Sequence, residues 1–507
     1  MISRSFGVSR RRFLASFSST AAVIGLAACS APAPSSPAQA TSAPAPAQPT
    51  AAAAPKPTAA PAAPPTAAAA AATTAPAAAA PTAPAAAAAA PTTAPAVAQK
   101  GTLTFSWFDW LPARLLNDLG KDYVKVGGWS IQGDLVGATQ WHDKIFTEFA
   151  AKGGADFPIL DSQWIGEGVA GGHIIEITDF AQKNINLKDI NPPSLRSYGE
   201  YPQGSGKLYG LPCEQDAMAY VARKDLFQDP KEQQAFKAKY NRDLAPAKTW
   251  DEYYDIAEFF NRPEQGLFGT AMHFAAAYDA ISCNFNETLW SYGGQLWDGK
   301  AKVDGFLNSE AGVGALQFMQ KLYKISPPGS GNWWFDEVNN AMAQGQVAQS
   351  INWFAFHAGL VDPKSSKVAD KLIWGVVPAG PKAHVVILGG MGIHISSYSK
   401  NKDAALDFVK WFQTQDVQKK WSQAGALTAN VTILNSPEFV TYSPWNQAFK
   451  ETLPLLQDFW NLPEYAKMLD LQEKTLNAAV VNQTDAKAAL DKIAKGQQQI
   501  LEDAGYS

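Results

Sequence analysis

Alternating hydrophobic and polar positions along this 507-residue chain predict several β-strands. Residues Thr102–Phe108 alternate with a period of two, which is typical of a half-buried strand. Two further apolar runs, Lys207–Leu211 and Ala217–Ala222, flank the polar cluster Glu214-Gln215-Asp216. Two apolar runs that flank a group of hydrogen-bonding side chains in this way are typical of a segment that crosses between two parts of a fold and faces a ligand. The pattern therefore predicts two strands around a ligand-facing polar cluster.

Helical spacing of apolar residues predicts helices between and after these strands. Thr249 and Glu252 have the spacing of a capping box, in which each side chain bonds the backbone at the start of a helix. The helices expected on this basis are Trp250–Asn261, one that begins after the N-cap Ser309, Asn401–Thr414 and Thr484–Ala504. Residues 101–507 are too many for one compact core. The chain is therefore expected to form an α/β body of two lobes.

The first 29 residues have the pattern of an export signal. Ser9-Arg10-Arg11-Arg12-Phe13-Leu14 matches the twin-arginine consensus, and the apolar run that follows is too short for a stable transmembrane helix. Leu26-Ala27-Ala28-Cys29 matches a lipobox, in which the cysteine receives the lipid. We expect residues 1–28 to be a twin-arginine lipoprotein signal peptide. The exported protein is then anchored through Cys29 to the extracytoplasmic face of the cell membrane.

Composition adds a linker and excludes one class of partner. Residues 29–100 are almost entirely Ala, Pro, Thr and Ser, and they predict a disordered tether because they lack large apolar side chains. The formal net charge is −4 and no basic stripe is present, so no nucleic-acid partner is expected. Cys213 and Cys283 are the cysteines beyond Cys29. These two cysteines either form a disulfide with each other or stay free, and we expect them to stay free.

The sequence lacks the motifs of common catalytic and metal sites. Its six histidines are scattered, with no His-Glu-x-x-His, no Gly-x-Ser-x-Gly and no dinucleotide-binding glycine pattern. We expect no catalytic residue, no metal and no cofactor. A glycosidase needs two carboxylates, one on each side of the scissile bond. The sequence allows Asp109, Asp161, Glu214 and Asp216 to converge in one cleft. A glycosidase is therefore kept as a distant alternative.

Two short clusters combine polar and aromatic side chains in a way that suits a carbohydrate. Trp107 and Asp109 follow the opening strand at its carboxyl end, where α/β folds bind ligands. Asp161, Gln163 and Trp164 place a carboxylate, an amide and an indole within four residues. Sugar hydroxyls take directional hydrogen bonds, while the apolar face of the ring lies on an aromatic side chain. Both clusters are predicted to contact a ligand.

Several stretches resemble the family 1 extracellular solute-binding proteins of ABC importers. Gly206–Glu214 and Arg223–Phe227 match the pattern around the first hinge of that family, and Gly389–Ile393 matches the second hinge. The resemblance implies a two-lobed, periplasmic-binding-protein-like α/β fold of type II, with lobes joined by crossover hinge strands. The boundaries expected on this basis are about 101–213 and 336–390 for lobe 1, and about 214–335 and 391–507 for lobe 2.

The resemblance also implies further ligand contacts, at the hinges and at strand ends. These positions are Glu214, Asp216, Trp290, Trp334, Asn352, Trp353, Gly390 and Met391. Members of the family often have tryptophan after the paired glycines, where this chain has Met391. A stacking contact at that position is therefore not expected here.

The function implied by the resemblance is that of the substrate-binding component of an ABC importer. Such a protein captures a ligand by hinge closure and delivers it to membrane permease subunits driven by a cytoplasmic ATPase, without covalent chemistry. The tryptophan-rich sequence favours a sugar or an oligosaccharide, and a monomer is expected. The alternatives are a ligand-sensing subunit of a receptor, and an importer subunit for a polyol or a glycerophosphodiester. A phosphorylated ligand requires a cluster of Arg or Lys, which the sequence does not place near its tryptophans.

Overall fold

The computed structural model describes residues 98–506. The predicted signal peptide, the predicted lipid anchor Cys29 and residues 29–97 of the predicted linker lie outside the described residues, so these features stay predictions. Within residues 98–506, no helix is long and apolar enough to cross a membrane.

The central strand β4 is the longest, three other strands have eight residues or more, and the remaining strands are short. Their bounds are β1 Gly101–Phe108, β2 Trp129–Val136, β3 Ile159–Asp161, β4 Gly210–Arg223, β5 Phe268–Ala271, β6 Val347–Trp353, β7 Leu372–Gly375, β8 Val386–His394 and β9 Leu456–Gln457.

The helices range from single turns to two long C-terminal helices. Their bounds are α1 Leu111–Gly127, α2 Trp141–Ala150, α3 Ile165–Ala170, α4 Thr178–Asn184, α5 Pro192–Gly199, α6 Lys224–Phe227, α7 Pro230–Tyr240, α8 Trp250–Phe260, α9 Ala280–Ser291, α10 Glu310–Tyr323, α11 Phe335–Ala343, α12 Ala358–Val361, α13 Lys402–Phe412, α14 Gln415–Gln423, α15 Val431–Leu434, α16 Phe439–Tyr442, α17 Asn446–Thr452, α18 Tyr465–Asn482 and α19 Ala486–Asp503.

Two of the predicted helix starts are confirmed by their caps. The Thr249 hydroxyl accepts a hydrogen bond of 3.2 Å from the backbone N–H of Glu252 at the start of α8. The Ser309 hydroxyl accepts one of 3.4 Å from the N–H of Gly312 in α10. Such caps satisfy N–H groups that lack partners within the helix, which is why their sequence pattern locates helix starts well.

The strands form two sheets. β1 and β2 are a parallel pair, and the remaining strands form a sheet in the order β3-β8-β4-β6-β5, with β7 beside β4 and β9 beside β8. The first half of β4, Gly210–Ala217, pairs antiparallel with β8. Its second half, Met218–Ala222, pairs antiparallel with β6. β4 thus crosses from one group of strands to the other, as the sequence predicted for this region.

β4 is one continuous strand, whereas the sequence predicted two strands separated by a polar cluster. All of its residues except Arg223 are buried, so the polar side chains take internal partners instead of forming an exposed loop. Glu214 accepts a hydrogen bond of 2.8 Å from the N–H of Leu427. Gln215 accepts one of 3.0 Å from the side-chain amide of Asn191. Leu427 and Asn191 thus give Glu214 and Gln215 internal partners, and the strand continues through the cluster.

Two contacts run across the expected lobe boundaries, which stay a prediction. β6 lies in a segment expected in lobe 1, and it pairs in parallel with β5, which lies in a segment expected in lobe 2. Tyr123 of α1 packs against Phe408 of α13, with ring centroids 5.1 Å apart, although the two were expected in different lobes. The strands therefore fall into two groups according to the half of β4 with which they pair, and these groups do not follow the expected lobe boundaries.

Candidate ligand-binding site

An aromatic cavity lies where β3, β8 and β4 meet the segments that precede α9 and α11. The aromatic side chains that line it are Phe108, Trp110, Trp141, Tyr278, Trp334, Phe335, Trp353, Phe356 and Phe459. Three carboxylates lie among them, namely Asp161, Asp216 and Asp279. The cavity thus combines apolar walls with a few strong hydrogen-bond acceptors.

The register of β8 brings two of these carboxylates to the same place. β8 lies between β3 and β4, with Met391 paired to Asp161 on one side and Gly389 paired to Asp216 on the other. Gly390 has a φ of +103°, and a Cβ there would lie 2.2 Å from the carbonyl oxygen of Glu214. Only glycine allows this close approach of the backbones. The paired glycines therefore position the carboxylates.

Hydrogen bonds link the β3 side of the cavity to the segment before α9. The Tyr278 hydroxyl donates to Asp161 over 2.5 Å. The side-chain amide of Gln163 donates to Asp279 over 3.2 Å. Asp161 also accepts from the backbone N–H of Gln163, at 3.3 Å. These bonds hold two segments together that are more than 100 positions apart in the sequence, across the mouth of the cavity.

Burial changes the ionisation of the three carboxylates. Desolvation raises the pKa of Asp216 to about 8, although backbone N–H groups, including Ala217 at 2.8 Å, lower it in part. Desolvation and the nearby charge of Asp161 raise the pKa of Asp279 to about 8. The pKa of Asp161 is raised as well, again by burial. Burial thus disfavours the charged form of all three carboxyl groups.

Three indole N–H groups of residues that line the cavity have no hydrogen-bond partner within residues 98–506. They belong to Trp110, Trp141 and Trp334, and the first two side chains are almost completely buried. A buried donor without an acceptor costs free energy. The wall residues thus include donors that lack an acceptor, which a ligand with oxygen atoms supplies.

The aromatic walls are packed in layers. Phe335 and Phe356 are stacked with ring centroids 4.0 Å apart, and Phe356 contacts Trp110 at 5.4 Å. Trp334 lies 5.6 Å from Tyr278. The site thus has packed aromatic rings on one side and hydrogen-bonded carboxyl groups on the other.

The structure brings six of the predicted contact residues to this cavity. They are Asp161, Asp216, Trp334, Trp353, Gly390 and Met391. The others that lie nearby support its walls instead of lining them. Trp107 contacts Trp110 at 5.4 Å, and Trp164 contacts Trp141 at 4.3 Å.

Four predicted residues lie in other surroundings. Glu214 is fully buried and accepts a hydrogen bond from the backbone N–H of Leu427. Asn352 is also buried, and it bonds the side chains of His273 and Asn339. Asp109 is exposed and forms an ion pair of 2.8 Å with Arg114, while Gln163 reaches the cavity through Asp279.

Trp290 lines a separate, open groove with Trp297 and Trp460. The groove encloses about 1250 Å³. Phe459 lines both the groove and the cavity, so the two are neighbours. Asp279 of the cavity directly precedes the first residue of α9, whereas Trp290 lies near the C-terminal end of this helix. The length of α9 therefore separates Trp290 from the predicted cluster.

Several cavity residues had no predicted role. Phe356 follows β6 directly, in a loop that the resemblance already associated with ligand contact. Trp110 belongs to the same aromatic run as Trp107. Tyr278 and Asp279 stand after a run of alanines, and Phe459 lies in a late segment without a pattern. Only the long-range fold brings the last three to the site.

Comparison with known proteins agrees with this architecture. The family model described as bacterial extracellular solute-binding protein matches residues 113–419. A probable amino-acid ABC transporter periplasmic-binding protein of Sinorhizobium fredii is 27% identical over 64% of this chain and 72% of its own length.

Solved structures are similar over nearly their whole length. An ABC transporter solute-binding protein from Agrobacterium radiobacter, in complex with ribitol, superposes with a TM-score of 0.70 and 22% identity, covering 79% of this chain and 99% of its own. A solute-binding protein from Thermotoga lettingae, bound with α-D-tagatose, gives a TM-score of 0.68 at 22% identity, covering 79% and 100%.

The fold is thus the two-lobed α/β fold of type II periplasmic binding proteins, with β4 as a crossover strand. The chain belongs to the bacterial extracellular solute-binding protein family, whose members are exported binding proteins.

Proposed function

We propose that this protein is the substrate-binding component of an ABC importer and that it captures a sugar or a related polyol. The observation that carries the proposal is the combination of three carboxylates and three unpaired indole N–H groups in one aromatic cavity. A hydroxyl group both donates and accepts hydrogen bonds, so a polyhydroxylated ligand pairs with both sets. The apolar faces of such a ligand lie on the aromatic walls.

An amino-acid ligand, as in the name of the relative from Sinorhizobium fredii, fits this cavity less well. An amino acid brings an α-carboxylate, which needs a cationic or backbone N–H partner. None of the residues lining the cavity is lysine or arginine. Ribitol and tagatose, which are bound in two of the structural neighbours, have the hydroxyl chemistry that the cavity favours.

Capture proceeds by closure of the two lobes around the ligand. We place the boundary at β4 and β8, so that Asp161 and Tyr278 come from opposite sides and their hydrogen bond forms on closure. The closed protein then docks on permease subunits driven by a cytoplasmic ATPase. No covalent step is part of this function, which distinguishes it from the glycosidase alternative.

The predicted export features complete the proposal. A twin-arginine signal at residues 1–28 and a lipid on Cys29 keep the protein at the extracytoplasmic face of the membrane. The linker then lets a monomeric body reach the permease.

Titration of the purified protein with sugars and polyols, followed by intrinsic tryptophan fluorescence, tests the proposal. We expect a saturable change at micromolar ligand, because Trp110, Trp141, Trp334 and Trp353 line the cavity. Trp334→Ala is expected to weaken binding at least tenfold, whereas Trp129→Phe in the distant strand β2 leaves it unchanged. A flat response of the folded protein to every hydroxylated compound contradicts the proposal.

A further inference from the structure

The cavity has an imbalance of charge. Asp161, Asp216 and Asp279 are each more than nine-tenths buried, and all three line it. No lysine or arginine is among the lining residues, and no cationic side chain of the described chain contributes to the ionisation of these carboxyls. Elsewhere, exposed carboxylates such as Asp109 have a cationic partner. Within residues 98–506, these three buried carboxyl groups therefore have no cationic partner.

Every hydrogen-bond donor to these carboxylates is electrically neutral. Asp161 receives the Tyr278 hydroxyl, and Asp279 receives the Gln163 amide. Asp216 receives backbone N–H groups, from Ala217 at 2.8 Å and from Ala355 at 3.3 Å. Neutral donors orient a carboxylate but supply no opposite charge. A buried negative charge without a counter-ion costs several kcal/mol in general, so either protons or a cationic ligand must balance it.

The aromatic walls favour the cationic ligand. A cation over the face of an aromatic ring is attracted by the electrons of the ring, and the attraction grows when water is excluded. Nine aromatic side chains line this cavity, including Trp334 and Trp353. The same walls hold the unpaired indole N–H groups of the buried Trp110 and Trp141. These donors require oxygen atoms on the ligand, which an ammonium group does not have.

We propose that the ligand carries both hydroxyl groups and a protonated amine, as an amino sugar, an aminocyclitol or an aminopolyol does. Its ammonium group binds among Asp161, Asp216 and Asp279, while its hydroxyl oxygens accept hydrogen bonds from Trp110 and Trp141. This inference rests on the proposed function and narrows its ligand class.

The test compares ligands that share one skeleton and differ in charge. Isothermal titration of the purified protein at neutral pH measures glucose, glucosamine and N-acetylglucosamine, and in parallel sorbitol and 1-amino-1-deoxysorbitol. We expect the amines to bind about 10- to 100-fold more tightly than their uncharged counterparts, the usual gain for hydrogen bonds between charged groups. N-acetylation of glucosamine is expected to remove this gain, because it removes the positive charge.

Two variants locate the effect within the protein. Asp279→Asn keeps the shape of the side chain and removes its charge, so the preference for amine over hydroxyl is expected to fall about tenfold. The control is Asp118→Asn, which removes an equal charge from an exposed pair with Lys121 and leaves the preference unchanged. The comparison between ligands on the unmodified protein remains decisive if a variant fails to fold.

The outcomes separate this inference from the proposed function. Saturable binding of glucose and glucosamine with equal affinity contradicts the inference that the ligand carries an amine, and it leaves the proposed capture of a sugar intact. Binding of putrescine, which has amines but no hydroxyls, as tightly as glucosamine overturns the hydroxyl half of the inference. Failure of every hydroxylated compound, charged or neutral, contradicts the proposed function itself.

Discussion

Tyr278 holds a backbone conformation that side chains rarely adopt, with a φ of +58°. Its hydroxyl donates a hydrogen bond to Asp161, and its ring packs against Trp334 and Trp164. A strained residue with such contacts at a site is retained because its surroundings fix it. We infer that Tyr278 fixes the segment before α9 against β3 when the cavity closes.

Tyr278→Phe is expected to weaken ligand binding about tenfold, because it removes one hydrogen bond to a carboxylate from the closed form. Isothermal titration with the best sugar or polyol measures the change. Tyr240→Phe is the matched control, since Tyr240 donates a similar bond of 2.7 Å to Glu258 far from the cavity. Equal effects of the two substitutions would contradict the role given to Tyr278.

Single residues also show how far sequence prediction reached. Trp334 and Trp353 were predicted contacts and line the cavity. Asp109 was predicted from its position after β1, but Arg114 in the first turn of α1 pairs with it at the surface. Tyr278 and Asp279 were missed, because only the packing of distant elements brings them to Asp161.

At the scale of elements, β4 and β8 determine the geometry of the site. Their close approach at Gly390 leaves no space for a side chain. Gly390→Ala is expected to lower the free energy of unfolding by at least about 2 kcal/mol, from the positive φ and the contact with Glu214. It also displaces Asp216, so binding is lost. Urea denaturation and ligand titration measure both effects.

Gly359→Ala serves as the control for that substitution. Gly359 lies in α12, and a Cβ there meets no atom within 4 Å. Alanine in a helix restricts the unfolded chain, so this variant is expected to be neutral or slightly more stable. A loss of stability as large as that of Gly390→Ala would show that the strand contact is not the cause.

The elements that sequence predicted best are those whose signals are local. The cap residues Thr249 and Ser309 start α8 and α10 as expected, because capping involves residues only three positions apart. β4 was predicted as two strands, because its polar cluster resembles a loop until buried partners such as Leu427 and Asn191 are known. Those partners are remote in sequence, so no local pattern reveals them.

For the whole molecule, buried carboxyl groups link stability to pH. Burial raises the pKa of Glu287 to about 8, and the same cause raises those of Asp216 and Asp279 to about 8. The folded chain therefore holds protons that the unfolded chain releases near pH 4.5. These protons stabilise the fold fully below that pH, and their contribution is lost as the pH rises to about 8.

We expect the free energy of unfolding to fall between pH 5 and pH 8, because these groups keep their protons in the folded chain and release them in the unfolded chain. Urea denaturation at several pH values measures the slope. Glu287→Gln keeps an acceptor for the N–H of Ile387 and removes one titrating group, so its slope is expected to be shallower. An unchanged slope would contradict the assignment to Glu287.

The two cysteines of the described chain are free and buried, as expected from the sequence. Cys213 lies in the crossover strand β4, and Cys283 lies in α9, one helical turn after Asp279 of the cavity. A thiol reagent reaches either residue only when its surroundings open. The labelling rate of each cysteine therefore reports on local opening, at the crossover strand for Cys213 and beside the cavity for Cys283. A ligand that slows the labelling of Cys283 more than that of Cys213 would show that it stabilises the closed cavity directly.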